Sequence, residues 1–230
     1  MKTQLEKLMT DLKKLANPEK AMLLQRFFKT GPGEYGEGDI FLGITVPEQR
    51  KVAKKFTDLN LNDVQELLSS KIHEYRLVGL LILIEKYKKE GRKIVDFYLA
   101  NTMNINNWDL VDLSSHKILG DYLLDKDRSV LYSLAKSSNV WERRISVIST
   151  FAFIKHNDFE DSLKLGEILL SDTHDLIHKA VGWMLREIGK RDKKVEEAFL
   201  KKYYRQMPRT MLRYAIEKFN KNKREFYLKT

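Results

Sequence analysis

What most constrains this chain is a repeat. Its longer helices are expected to begin near Lys71, Asn106, Asn139, Thr173 and Pro208, at steps of 35, 33, 34 and 35 residues, with a shorter helix between each pair. A unit of two helices cannot bury its apolar faces alone and must stack on its neighbours. Apolar residues recur at three and four, as in Val64, Leu67 and Leu68 or Val195, Phe199, Leu200 and Tyr203, with no strand-like alternation. Asn17-Pro18-Glu19, Val46-Pro47-Glu48 and Met207-Pro208-Arg209 each place proline where a helix would start. The expectation is an all-α fold: one domain over residues 1–230, an α-solenoid of antiparallel helix pairs whose second helices line a concave basic groove. The period is short for HEAT repeats, which run about 40–47 residues, and near that of tetratricopeptide repeats, whose signature is absent.

Charge says what such a groove would hold. Lys and Arg number 42 against 32 Asp and Glu, and from Lys179 onward there are 16 basic and 6 acidic residues, which is the whole excess of +10. A balanced body with a basic C-terminal quarter suits a polyanion, because each phosphate neutralised releases counterions; a solvated basic face is the plainer alternative. There is no cysteine, which excludes disulfides, thiolate metal sites and a cysteine nucleophile. The longest apolar run, LVGLLILI from Leu77, is far below the ~20 residues of a membrane span. A soluble, cytoplasmic monomer is expected, with no membrane partner.

The second helices carry Tyr75 and Arg76, then Trp108 and Asp112, then Trp141 and Arg144, then Lys179, Trp183 and Arg186. Each tryptophan stands three or four residues from a charge and shares a helix face with it. One such tryptophan is ordinarily core; the same pairing in three consecutive units points to aromatic faces and cations arrayed for nucleic acid. Some other signals carry less. Gly31 to Gly36 fits GxGxxG, but no strand precedes it and Glu34, Glu37 and Asp39 would repel a pyrophosphate. His174 and His178 have metal-ligand spacing but no third ligand nearby, and Asp109 lies about 100° round the helix from Trp108. Ser114 and Ser115 lack the partners of a nucleophile.

NWDLVD (Asn107–Asp112), NVWERR (Asn139–Arg144) and HKAVGWMLRE (His178–Glu187) resemble three signature segments of the DNA alkylation repair enzyme family, the AlkD-like HEAT-repeat alkylpurine DNA glycosylases. NPEK at Asn17 and FLGITVPEQR at Phe41 resemble two more, in family order over almost the whole chain. The resemblance implies hydrolysis of the N-glycosidic bond of cationic alkylpurines such as 3-methyladenine and 7-methylguanine in duplex DNA, as a step of base excision repair. It implies no cofactor, no metal, and cleavage without flipping the base into a pocket. The family's catalytic residues fall on Trp108, Asp112, Arg144 and Trp183. Contacts to DNA are expected from Arg50, Lys51, Arg76, Trp141, Arg143, Lys179, Arg186, Lys190, Arg209 and Arg213. Three features depart from the family pattern: Asn107 in place of a second tryptophan, the GPGEYGEGD insertion at Gly31–Asp39, and Thr45-Val46 in place of a Gln-Thr pair. A non-catalytic relative that grips damaged or branched DNA, or a helical scaffold for protein partners, would share much of this sequence pattern.

Overall fold

The computed structural model describes residues 2–229. The fold is all-α, and its only bridge of β type among the described residues is an isolated one between Ile40 and Ile72. The chain divides into two compact units, 1–114 and 115–230.

The first unit contains α1 (Gln4–Lys14), α2 (Pro18–Phe27), α3 (Val46–Ala53), α4 (Leu61–Leu68), α5 (His73–Glu90), α6 (Arg92–Ala100) and α7, which starts at Trp108 and ends at Ser115. Helix starts are written locally. Thr3 and Glu6 form a capping box at α1, the Asn17 side chain accepts from Lys20 N ahead of Pro18, and the Glu48 carboxylate accepts from both Thr45 N and Oγ1 at α3. Helix α5 is the hub, buried continuously from His73 to Ile84 and packed against α3, α4 and α6. LVGLLILI is thus the core of a domain, and no helix among the described residues is long and apolar enough to cross a membrane.

The second unit contains α8 (Ser129–Ala135), α9 (Val140–Ser149), α10 (Phe151–Lys155), α11 (Glu160–Ile168), α12 (Asp175–Gly189), α13 (Lys193–Tyr203), α14 (Arg209–Ala215) and α15 (Lys221–Leu228). Helix α12 is its hub, packed on α9, α10, α11, α13 and α14. Gly182 sets the approach of α14: a Cβ there would lie 2.4 Å from Met211 O and 2.5 Å from Tyr214 Cβ, so only glycine lets α14 sit so near. That glycine immediately precedes Trp183, so close packing of α12 also fixes the helix that carries the indole.

Candidate active site

Trp108 and Asp112 lie in the first unit, one turn apart on one face of α7. Asn107 Oδ1 accepts from Trp108 N at 2.8 Å, which fixes the backbone at the start of the helix. The indole is half-buried and stacks on Phe28, with centroids 5.1 Å apart and planes at 15°, while Phe27 meets it edge-on at 5.9 Å. One indole face is therefore committed to the core cluster of Ala21, Phe28 and Phe41. Asp112 is half-buried as well, within reach of solvent.

Beside this pair lies a buried ionic chain that the sequence did not announce. His73, at the start of α5, sets Nε2 at 2.8 Å from Asp109 Oδ2 and Nδ1 at 3.3 Å from Asp39 Oδ2. Arg76 Nη2 donates to the same Asp39 oxygen at 2.5 Å, and Nη1 donates to Ser70 O at 2.7 Å. Burial alone would strip the imidazole of its proton, yet Asp109's charge and hydrogen bond, with that of Asp39, outweigh it and raise the His73 pKa to about 9. Burial likewise opposes ionisation of Asp39, but His73 and Arg76 together hold its carboxyl below the usual range. Two cations and two carboxylates thus alternate, tying the end of the Gly31–Asp39 segment to α5 and α5 to α7. The adjacent Glu74 carboxylate accepts backbone N–H bonds from Leu42, Gly43 and Ile44 at 2.9, 2.8 and 3.2 Å. Gly43 makes that wrap possible, with φ at +81° and room for no Cβ against Asn17 O. The sequence signal for all this is IHEYR, four polar residues opening a helix ahead of its apolar middle, LVGLLILI; its partner Asp39 stands 34 residues upstream of His73.

Over this floor a cavity of about 320 Å³ is walled by Leu23, Leu24, Phe27, Phe28, Phe41 and Leu77, among others. Met22, Leu23 and Phe27 of α2 are exposed beside it. Ser114 Oγ donates to Leu110 O and meets Tyr98 OH at 3.0 Å, a packing arrangement.

Arg144 and Trp183 lie in the second unit. Asn139 caps α9 by accepting from Trp141 N at 2.9 Å. Arg144, 4 % exposed, sends Nη1 to Leu176 O at 2.5 Å and so holds the first turn of α12. Trp183 is half-buried, its Nε1 donating to Glu187 Oε1 at 3.0 Å. Its neighbour Phe151, 5.8 Å away, is flanked by His116 at 5.3 Å and by the Lys155 ammonium 4.5 Å from its ring. Burial, with Lys155 and Lys117 adding to it, pushes the His116 pKa down to about 4, so this imidazole is neutral.

The residues expected on DNA separate into two groups. Arg76 and Trp141 face inward, at 3 % and 6 % exposed, because Arg76 balances Asp39 and the Trp141 indole fills core. The groove lining expected of Tyr75 is likewise replaced by burial. Arg143 is tied down by Asp172 Oδ2 at 2.7 Å and by the Ser137 and Ser138 carbonyls, and Arg186 is ion-paired with Glu217. Arg50, Lys51, Lys190, Arg209 and Arg213 are exposed, and Lys179 is half-buried. Lys179 pairs with Asp175 at 2.6 Å, a surface contact of little energetic weight, and Lys190 pairs at 2.6 Å with the buried Glu187 carboxylate that also accepts from Trp183. His174 Nδ1 accepts from Leu176 N and His178 Nε2 meets Asp172 O, so both rings serve the start of α12.

An all-helical protein with indole and carboxylate on one helix face, and exposed cations on its other helices, is of a kind suited to nucleic acid. The model of the DNA alkylation repair enzyme family matches residues 8–219, and the chain belongs to that family. Among solved structures, the predicted DNA alkylation repair enzyme from Enterococcus faecalis is similar in fold, with a TM-score of 0.74, 18 % identity, and coverage of 90 % of this chain and 97 % of that one. The protein smu.31 from Streptococcus mutans UA159 is also similar, with a TM-score of 0.55, 18 % identity, and coverage of 94 % and 99 %. No curated protein matches the chain.

Proposed function

We propose that this protein is an alkylpurine DNA glycosylase that hydrolyses the N-glycosidic bond of cationic alkylated purines in duplex DNA. The observation that carries the reading is the α7 face itself, where the Asp112 carboxylate is half-buried, one turn from an indole backed by Phe28. An N3- or N7-alkylated purine leaves as a neutral base and needs no general acid. Positive charge builds instead on the deoxyribose as it becomes oxocarbenium-like. A carboxylate about 4 Å from that charge contributes about 4 kcal/mol at an effective dielectric of 20, roughly a thousandfold in rate. Asp112 would stabilise the cation and orient the attacking water.

Trp108, held by Phe28, offers an electron-rich surface to the same sugar, and cation-π attraction adds about 1–2 kcal/mol once water is excluded. In the second unit Trp183 is the aromatic group for the DNA backbone. Arg144's burial suits it to positioning, through Leu176 O, the helix that bears Trp183. Arg50, Lys51, Lys190, Arg209 and Arg213 supply phosphate contacts, which fix register and carry no sequence information.

The test is release of 7-methylguanine from methylated duplex DNA by the purified chain. Asp112→Asn should lower release about a thousandfold while duplex affinity holds. Absence of release by the unaltered protein, with duplex binding intact, would leave a DNA-gripping relative as the better reading.

A further inference from the structure

At its C-terminal end the second unit has a cavity of about 530 Å³, bounded by Tyr204, Arg205, Met207, Arg209, Leu212 and Tyr227. That volume lies within the ~300–1,000 Å³ of ligand pockets. The Tyr204 ring meets the Tyr227 ring edge-on at 5.4 Å and lies 6.1 Å from the ring of Phe226, itself 63 % exposed. The Arg205 guanidinium stands 5.6 Å from the Tyr204 centroid, and its Nε donates to the Tyr204 hydroxyl at 3.1 Å. Arg209 Nη2 donates to Leu228 O at 2.5 Å, which ties α14 to the end of α15.

We propose that this cavity binds one unpaired nucleotide of a single DNA strand, its base against Tyr204, with the exposed Phe226 ring beside the cavity, and its phosphate on Arg205 and Arg209. The site combines the two chemistries such a ligand presents. Planar forks of N–H donors match phosphate oxygens better than a point charge does, and aromatic rings give a sequence-tolerant surface for a base. No acid lines the cavity among the described residues. Of the four acids from Lys193 onward, Glu196 is buried, Glu197 is paired with Lys223, Glu217 is paired with Arg186 and Lys218, and Glu225 is exposed on α15 outside the cavity lining. Twelve basic residues share that stretch, which favours a ligand with several phosphates over a lone phosphorylated side chain. The base must be unpaired, because within a duplex its faces are already stacked. This inference shares Arg209 with the phosphate contacts of the glycosylase reading but involves no lesion and no bond cleavage.

The experiment is anisotropy of a fluorescein-labelled ten-residue oligo(dT) titrated with the full chain at fixed salt. Thymidine 5′-monophosphate should displace it at lower concentration than thymidine or inorganic phosphate does. Tyr204→Leu, which keeps every charge, should weaken oligo(dT) binding about tenfold, and Arg205→Gln should weaken it more than Lys221→Gln, which removes an equal charge elsewhere. Arg205 is exposed, so its variant carries the test even if Tyr204→Leu unfolds by circular dichroism. Equal binding by Arg205→Gln and Lys221→Gln would overturn the proposal, as would inorganic phosphate competing as well as the nucleotide. Stronger displacement by a phosphotyrosine peptide would overturn it too. None of these readouts depends on 7-methylguanine release, so either proposal can fail alone.

Discussion

His73 Nε2 stands 2.8 Å from Asp109 Oδ2, and through that bond the first turn of α5 grips the turn of α7 that opens with Trp108. The His73 pKa is raised from 6.5 to about 9, so its contribution to stability is fully present below pH 6.5 and is lost as pH rises through 9. A displacement of that size is on the order of 3 kcal/mol. The difference in unfolding free energy between the unaltered chain and His73→Gln, measured by urea titration, should therefore be large at pH 6 and shrink steadily by pH 10. A difference independent of pH would mean that the imidazole is neutral in the fold.

Phe28 should matter to catalysis without touching DNA. Its ring backs Trp108 at 15°, so Phe28→Leu, which keeps an apolar side chain but removes the stacked ring at a cost of about 1–3 kcal/mol, lets the indole tilt while circular dichroism checks that the chain is folded. The expected result is a fall of about tenfold in the maximal rate of 7-methylguanine release with duplex affinity nearly unchanged. A loss seen only in affinity would place Phe28 among DNA contacts.

Glu196 is a buried acid of a different kind. It is 2 % exposed, its Oε1 has no hydrogen-bond partner, and its carboxyl packs on Gly189 of α12. Burial, with the charge of Glu197 adding to it, raises its pKa to about 8. Stability from the protonated form is thus complete below pH 4.5 and declines as pH climbs through 8. Glu196→Gln should match the unaltered chain near pH 4.5 and melt at a higher temperature at pH 9. Equal melting temperatures at pH 9 would show the carboxylate to be solvated.

Much of the helical layout is legible in the sequence because helix starts are local events. The expected starts at Lys71, Asn106, Asn139, Thr173 and Pro208 fall within two residues of the observed His73, Trp108, Val140, Asp175 and Arg209, since Asn, His and Pro at those points cap or open a turn. The division after Ser114 was not legible, because the same spacing of helix starts runs through both units. Nor was the inward turn of Arg76. Helical spacing groups Arg76 with other charges on second helices, but its partner Asp39 lies 37 residues upstream in a glycine-rich loop. Spacing within an element says which side chains share a face; which face is buried depends on residues far off in the chain.

That distinction makes a prediction about cations. Arg50 and Lys51 are exposed on α3, whereas Arg76 is buried against Asp39. Replacing either exposed residue with glutamine removes a phosphate contact and should leave the fold intact, with the slope of log affinity for duplex DNA against log salt reduced by about 1 each. Arg76→Gln leaves the buried Asp39 carboxylate with His73 as its one charged partner among the described residues and should cost about 3 kcal/mol of stability. Once folded at low temperature, that variant should keep the full salt slope, because its guanidinium never faced a phosphate. Unfolding curves and salt titrations on the same three variants decide it: a reduced slope for Arg76→Gln, or an unchanged one for both α3 variants, would relocate the DNA-binding face of the first unit.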